Sequence, residues 1–144
     1  MKRRFLLLTI SMISVAMASA QKEKTVVPAP AKTAFEKAFP GSSKVKWGKE
    51  KTDYEVEFIL NGEKMSALYD GNGVLKETEE DIKITALPIA VTEYIKQHYA
   101  KAGIKEAAKI TKPGGEINYE AEVNKMDLIF DVNGKFIHEL KDAN

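Results

Sequence analysis

The sequence predicts an α+β fold: a tandem repeat in which each half is a helix packed on an antiparallel sheet of about four strands. Three observations predict it. A strand–return–strand–turn pattern occurs twice, as Tyr54-Glu55-Val56-Glu57-Phe58 with Ala67-Leu68-Tyr69-Asp70-Gly71-Asn72-Gly73, and as Tyr119-Glu120-Ala121-Glu122-Val123 with Leu128-Ile129-Phe130-Asp131-Val132-Asn133-Gly134. A stripe of apolar residues at helical spacing precedes each copy. The Tyr-to-Asp spacing is 16 in the first copy and 12 in the second, two residues per arm, and a change of two preserves which face each side chain takes.

The chain divides on this basis into residues 1–20, 21–29, 30–82 and 83–144. The first twenty have a basic start (Lys2, Arg3, Arg4), an apolar run from Phe5 to Val15 and the small-residue motif Ala18-Ser19-Ala20. That is the pattern of a secretory signal peptide cleaved after Ala20, and it implies a periplasmic or secreted protein. The run is too short to span a bilayer comfortably, and no other stretch approaches spanning length. No membrane insertion is therefore expected once the signal is removed. There is no cysteine, hence neither a lipid-anchored cysteine nor a disulfide. Of the 22 Lys and Arg residues three lie in the first twenty, leaving 19 against 21 Asp and Glu, net −2. That balance excludes nucleic acid or an anionic membrane as main partner.

Residues 21–29 read as a flexible leader. From Pro30 to Phe39, the residues Ala31, Ala34, Phe35, Ala38 and Phe39 share one helical stripe, which Pro40-Gly41 ends. Lys44 to Trp47 alternates as a strand with Val45 and Trp47 inward. Asn61-Gly62 suits a type I′ hairpin turn, which needs positive φ twice. It pairs Phe58 with Met65, Val56 with Ala67 and Tyr54 with Tyr69. Asn124-Lys125 closes the second hairpin and pairs Val123 with Met126, Ala121 with Leu128 and Tyr119 with Phe130. Each Asp-x-Asn-Gly reads as a tight turn; neither has the length or oxygen ligands of an EF-hand calcium loop. A strand follows near Val74 to Thr78, and the acidic Glu77–Asp81 reads as a solvated connector. Leu87-Pro88 opens a second helix ending at Gly103. Residues 104–111 and 136–140 complete the second sheet.

Phe39-Pro40-Gly41, Trp47, Tyr54-Glu55-Val56-Glu57-Phe58, Asp70-x-x-Gly73 and Leu87-Pro88, in that order, resemble the PepSY-like family of β-lactamase-inhibitor-like secreted proteins of Bacteroidetes-type bacteria. The resemblance runs from about Ala31 to Leu140. It implies the inhibitor-like tandem repeat and implies fold more than activity. The second repeat lacks the Phe-Pro-Gly and Trp elements.

No nucleophile motif, metal-spaced histidine pair or phosphate-binding loop is present. No catalytic residue, cofactor or metal is expected, and the protein is read as a non-enzyme. The recurrent polar feature is the outward face of the hairpins: Glu55 and Glu57, with Leu68 opposite Glu55, and Glu120 and Glu122, with Ile129 opposite Glu120. Mixed acidic and apolar exposure suits protein binding. These six residues are the candidate partner-binding face of an exported module that inhibits or chaperones an envelope or secreted enzyme. Two other readings stay open: a small envelope-polymer hydrolase using paired carboxylates, and a metal-responsive periplasmic sensor.

Overall fold

A computed structural model describes residues 25–141. The predicted signal peptide, 1–20, lies outside them. The elements run α1 (Ala29–Ala38), β1 (Ser43–Glu50), β2 (Asp53–Leu60), β3 (Glu63–Tyr69), β4 (Leu75–Asp81), a 3-10 turn (Ile84–Ala86), α2 (Ile89–His98), β5 (Glu106–Thr111), β6 (Ile117–Val123), β7 (Met126–Asp131) and β8 (Phe136–Lys141). Helix plus four strands thus occurs twice. All eight strands form one antiparallel sheet in chain order, and β4 joins β5 at its centre.

The hairpin registers are those that the turn chemistry and apolar alternation predict. Phe58 faces Met65, Val56 faces Ala67 and Tyr54 faces Tyr69. Val123 faces Met126, Ala121 faces Leu128 and Tyr119 faces Phe130. Asn61 and Gly62 have φ of 54° and 88°, and Asn124 and Lys125 have 55° and 61°. Lys125 therefore holds a left-handed conformation at the position where the first repeat has glycine. Lys125→Gly is expected to raise stability by about 0.5–1 kcal/mol, measured as a higher urea midpoint; a lower one would contradict the strain.

Both helices lie on the same side of the sheet. Ala31 and Phe35 of α1, with Val27, pack on Val56, Phe58, Ala67 and Tyr69. Val91 and Ile95 of α2, with Leu87, pack on Ala107, Ala121, Val123, Leu128 and Phe130. Each such fully buried large side chain contributes about 1.5–3 kcal/mol. The two repeats thus have separate cores joined through the sheet rather than one shared core. Val27 belongs to the first, so the chain is already packed within the segment predicted to be a flexible leader.

The Asp-x-Asn-Gly turns are built identically. Asp70 Oδ1 accepts the N–H of Asn72 (2.9 Å) and of Val74 (3.0 Å). Asp131 Oδ1 accepts the N–H of Asn133 and of Lys135, both at 2.9 Å. Each carboxylate is thereby committed to its own backbone, the Asx arrangement that favours Asp at this place. The closing glycines, Gly73 and Gly134, have φ of 83° and 80° and sit against the first turns of α1 and α2.

Three sequence expectations are corrected. Val45 is not buried: the β1 register shifts between Ser43 and Lys46, where Lys44 takes φ 53°, and Val45 is left 42% exposed. Trp47, beyond the shift, faces the helix and meets Phe35 edge-on at 5.6 Å. Helix α2 stops at His98 rather than Gly103, because its buried stripe ends with Ile95 and Tyr99 leaves helical geometry at ψ 46°. Glu77–Asp81 is no connector. It lies within β4, an interior strand held by β3 and β5.

Candidate functional site: the open face of the sheet

Residues opposite one another across the sheet share a face. Starting from Glu57, the pairing runs Ser66, Glu79, Ile110, Asn118 and Asp131. A neighbouring row runs Asp81, Ala108, Glu120, Ile129 and His138. Glu55, Leu68 and Glu77 form a third. These rows lie on the side away from both helices, and no described element covers them. All six residues singled out in the sequence fall on this face, but Ile129, expected to be exposed, is buried there by its neighbours. Glu122 joins them opposite Glu106 and Asp127.

The structure separates these residues into two groups. The carboxylates of β2 and of β6 are four strand steps apart, roughly 19 Å at ordinary strand spacing. Between them stand residues that sequence reasoning did not single out: Ser66, Glu79, Asp81 and Glu106, which with Glu55, Glu57 and Lys64 line a depression of ≈ 130 Å³. The signal for them was the alternation Glu77, Glu79, Asp81 within an acidic run, which places three carboxylates on one face once that run is a strand.

The centre of the face is apolar and tightly packed. Ala108, Ile110 and Ile129 are buried, and so is Asn118, whose amide donates to Glu116 Oε1 at 3.2 Å. With no layer above them, their burial comes from neighbouring side chains and from the twist of the sheet. Around this centre the charge is predominantly negative. Lys46, Lys64 and Lys105 reach Glu57 (3.4 Å), Asp81 (3.1 Å) and Glu122 (3.1 Å). The first two pairs are largely solvated, each worth about 0–1 kcal/mol, whereas the Glu122 side chain of the third is mostly buried.

Glu79 is the most perturbed carboxyl. Burial disfavours its charge, and the negative charges of Glu55, Asp81, Glu77 and Asp127 add to that, so its pKa is pushed up to about 7. Glu55 is also raised, chiefly by burial, against the opposing hydrogen bond from Ser66. Among the described residues, no three His, Asp or Glu side chains converge in a metal-holding arrangement. His98 is exposed, with Nδ1 2.9 Å from the Tyr94 carbonyl and its ring stacked on Tyr94.

With this geometry in hand, comparison with known proteins identifies the chain's relatives. The family model described as "Putative beta-lactamase-inhibitor-like, PepSY-like" matches residues 16–77 and again 59–138. The chain belongs to this family. The two PepSY-like matches accord with the doubled helix-and-four-strand architecture. The fold is similar to that of a BLIP-like protein from Bacteroides fragilis, at 23% identity over 85% of this chain and 91% of that one, with a TM-score of 0.61. It is similar too to a DUF2874 family protein from Bacteroides uniformis, at 20% identity over 80% and 89%, TM-score 0.68. A third likeness is to a protein from Bacteroides eggerthii described as a "putative periplasmic" protein, at 15% identity over 81% and 89%, TM-score 0.69. At these identities the likenesses speak to fold. Comparison with curated proteins gives no match. Among the described residues of this PepSY-like chain no helix is long and apolar enough to cross a membrane.

Proposed function

We propose that this PepSY-like protein is an exported, non-catalytic binding module that grips a protein partner with the open face of its sheet. The observation that carries the reading is that face itself: eight paired strands with no described element over one side, the half-buried Leu68 between Glu55 and Glu77, further carboxylates around it, and Ile110 and Ile129 buried beneath them. A mostly charged surface around a small apolar patch suits a non-obligate protein interface. The charge selects a partner with lysines or arginines around an apolar patch, which would both steer encounter and disfavour acidic competitors. The signal-like residues 1–20, cleaved after Ala20, would deliver the module to the periplasm or the medium. There it would inhibit or chaperone an envelope or secreted enzyme, as the inhibitor-like family and the BLIP-like neighbour suggest.

A hydrolase finds less support. The depression beside Glu55 and Glu57 is ≈ 130 Å³, small against the roughly 300–1,000 Å³ of small-molecule sites. The β2 and β6 carboxylates are too far apart to flank one glycosidic bond.

The test is capture of the partner from envelope fractions by the mature chain and by the double variant Glu55→Lys/Glu57→Lys. Glu57 is exposed and Glu55 half-buried, so the urea midpoint of the variant is measured alongside to show that the fold persists. Affinity should fall about tenfold or more, mostly through slower association. Equal capture by the variant would contradict the reading.

A further inference from the structure

A second concave surface lies away from the open face, at the free edge of the sheet. The C-terminal end of α1, the Phe39-Pro40-Gly41-Ser42 turn and β1 enclose a groove of ≈ 300 Å³, with Phe35, Phe39, Val45 and Trp47 as its apolar lining and Lys32 and Glu36 on its helical wall. The turn is held open by its own bonds: Phe39 N–H donates to the Phe35 carbonyl (2.9 Å), and Ser42 Oγ donates to the Phe39 carbonyl (2.7 Å). Behind it the aromatic rings brace one another, Phe39 on Phe58 at 4.8 Å and Phe35 on Phe58 at 5.0 Å. The groove wall is therefore fixed by the first core.

The two repeats differ at this place. Strand β5, the counterpart of β1, is paired on both sides, with β4 and β6. Strand β1 is paired only with β2, so its outer side is open. The Phe-Pro-Gly and Trp elements, absent from the second repeat, are the residues that build this groove. Val45, left 42% exposed beside the irregularity at Lys44, lies on its rim.

The exposed charge beside the groove is more basic than that of the open face, with Lys32 and Lys44 against Glu36. Lys44 adjoins Val45, and Lys32 stands with Glu36 on the helical wall; Lys46 belongs to the open face, opposite Glu57, and Lys49 lies over the Tyr54 ring. Lys32 and Lys44 make no ion pair among the described residues, and Lys46 has the solvated pair with Glu57. We propose that this groove is a docking site for an extended acidic segment of a partner protein, which seats one large apolar side chain between Phe39, Val45 and Trp47 while its carboxylates meet Lys32 and Lys44. The lysines and the irregular backbone at Ser43–Lys46 also obstruct simple strand addition to β1, so recognition rests on the anchor side chain and on charge. A volume near 300 Å³ accommodates one such anchor, and a buried apolar or aromatic anchor is where interface energy concentrates.

Trp47 is the only tryptophan in the chain and lines the groove, so its emission reports occupancy directly. The probe is a blocked synthetic heptapeptide with a central phenylalanine and aspartates or glutamates on both sides, titrated into the mature protein. The expected result is a saturable change in Trp47 emission that weakens with added salt. Affinity should fall about tenfold or more when the phenylalanine is replaced by serine, when the acids are replaced by lysines, and in Val45→Glu, an exposed position where folding is retained. Open-face variants Glu120→Lys and Glu122→Lys should bind the peptide as the wild type does, which separates this site from the sheet-face reading. The absence of a saturable change up to millimolar peptide, equal binding of the basic peptide, or full affinity in Val45→Glu would overturn the proposal. Concentration-dependent self-association of the protein alone, abolished by Val45→Glu, would assign the groove to a second copy and would also overturn it.

Discussion

Gly73→Ala is expected to lower the stability of the protein by about 2–4 kcal/mol. Two costs combine. An alanine at φ 83° occupies the left-handed region, which disfavours any Cβ by about 1–2 kcal/mol. That Cβ would also stand 2.6 Å from the carbonyl oxygen of Pro30 and 2.8 Å from its carbonyl carbon, both backbone atoms of α1 that cannot rotate away. The turn after β3 and the start of the helix would have to separate, loosening the contact of Ala31 and Phe35 with Val56 and Phe58. Gly134→Ala meets the Ala90 Cβ at 2.9 Å and the Val91 nitrogen at 3.1 Å, and should act in the same direction through α2. Gly62 isolates the first cost: its φ is 88°, but an added Cβ there meets nothing within 4 Å, so Gly62→Ala should lose only about 1–2 kcal/mol. Urea midpoints of the three variants test this. Equal losses at Gly73 and Gly62 would show that the close approach to the helix carries no energy.

Glu79→Gln is expected to stabilise the protein at pH 8 and to change it little at pH 5. The Glu79 carboxyl titrates near pH 7 in the fold against an ordinary value of 4.5. Between those values the folded chain holds a proton that the unfolded chain has released, so stability falls as pH rises through this window and stays lower above it. The difference amounts to up to about 3 kcal/mol for this group. Glu55, raised for a related reason, acts with the same sign. Asp70 acts oppositely and at lower pH: its carboxylate is held below 3.8 by the backbone N–H of Val74, then by that of Asn72 and by Lys76, and its contribution is lost only as pH falls through its lowered value. Denaturant midpoints of wild type and Glu79→Gln at pH 5 and 8 separate these effects. A wild-type midpoint that does not fall between pH 5 and 8 would contradict the desolvation of Glu79.

These two positions also mark where the fold was legible in the sequence and where it was not. The hairpins were legible because Asn61-Gly62 demands positive φ and because apolar alternation leaves only one register that buries Val56, Phe58 and Tyr69 together. The doubling was legible because the two copies differ by an even number per arm. The six open-face residues shared a face for the same reason. The second half of strand β4 was not legible: a strand was expected near Val74 to Thr78, but four acids in the five residues Glu77–Asp81 resemble a solvated link, and only the need to pair both β3 and β5 makes them part of an interior strand. Glu79 was missed with it. The exposure of Val45 was hidden because the positive φ at Lys44 falls on a residue with no turn signature. The helix-contacting role of Gly73 and Gly134 was also hidden, since the turn alone accounts for a glycine there.

The central claim is that the partner sits on the open sheet face. Photo-crosslinking in the source-cell envelope tests it most directly, with the crosslinker at Ser66 or Leu68 on that face and, as controls, at the exposed Glu93 or Gln97 on α2. The account predicts one partner band from Ser66 and Leu68 that is absent from the α2 positions and abolished by Glu55→Lys/Glu57→Lys. A partner crosslinked from α2 with the sheet positions silent would contradict it.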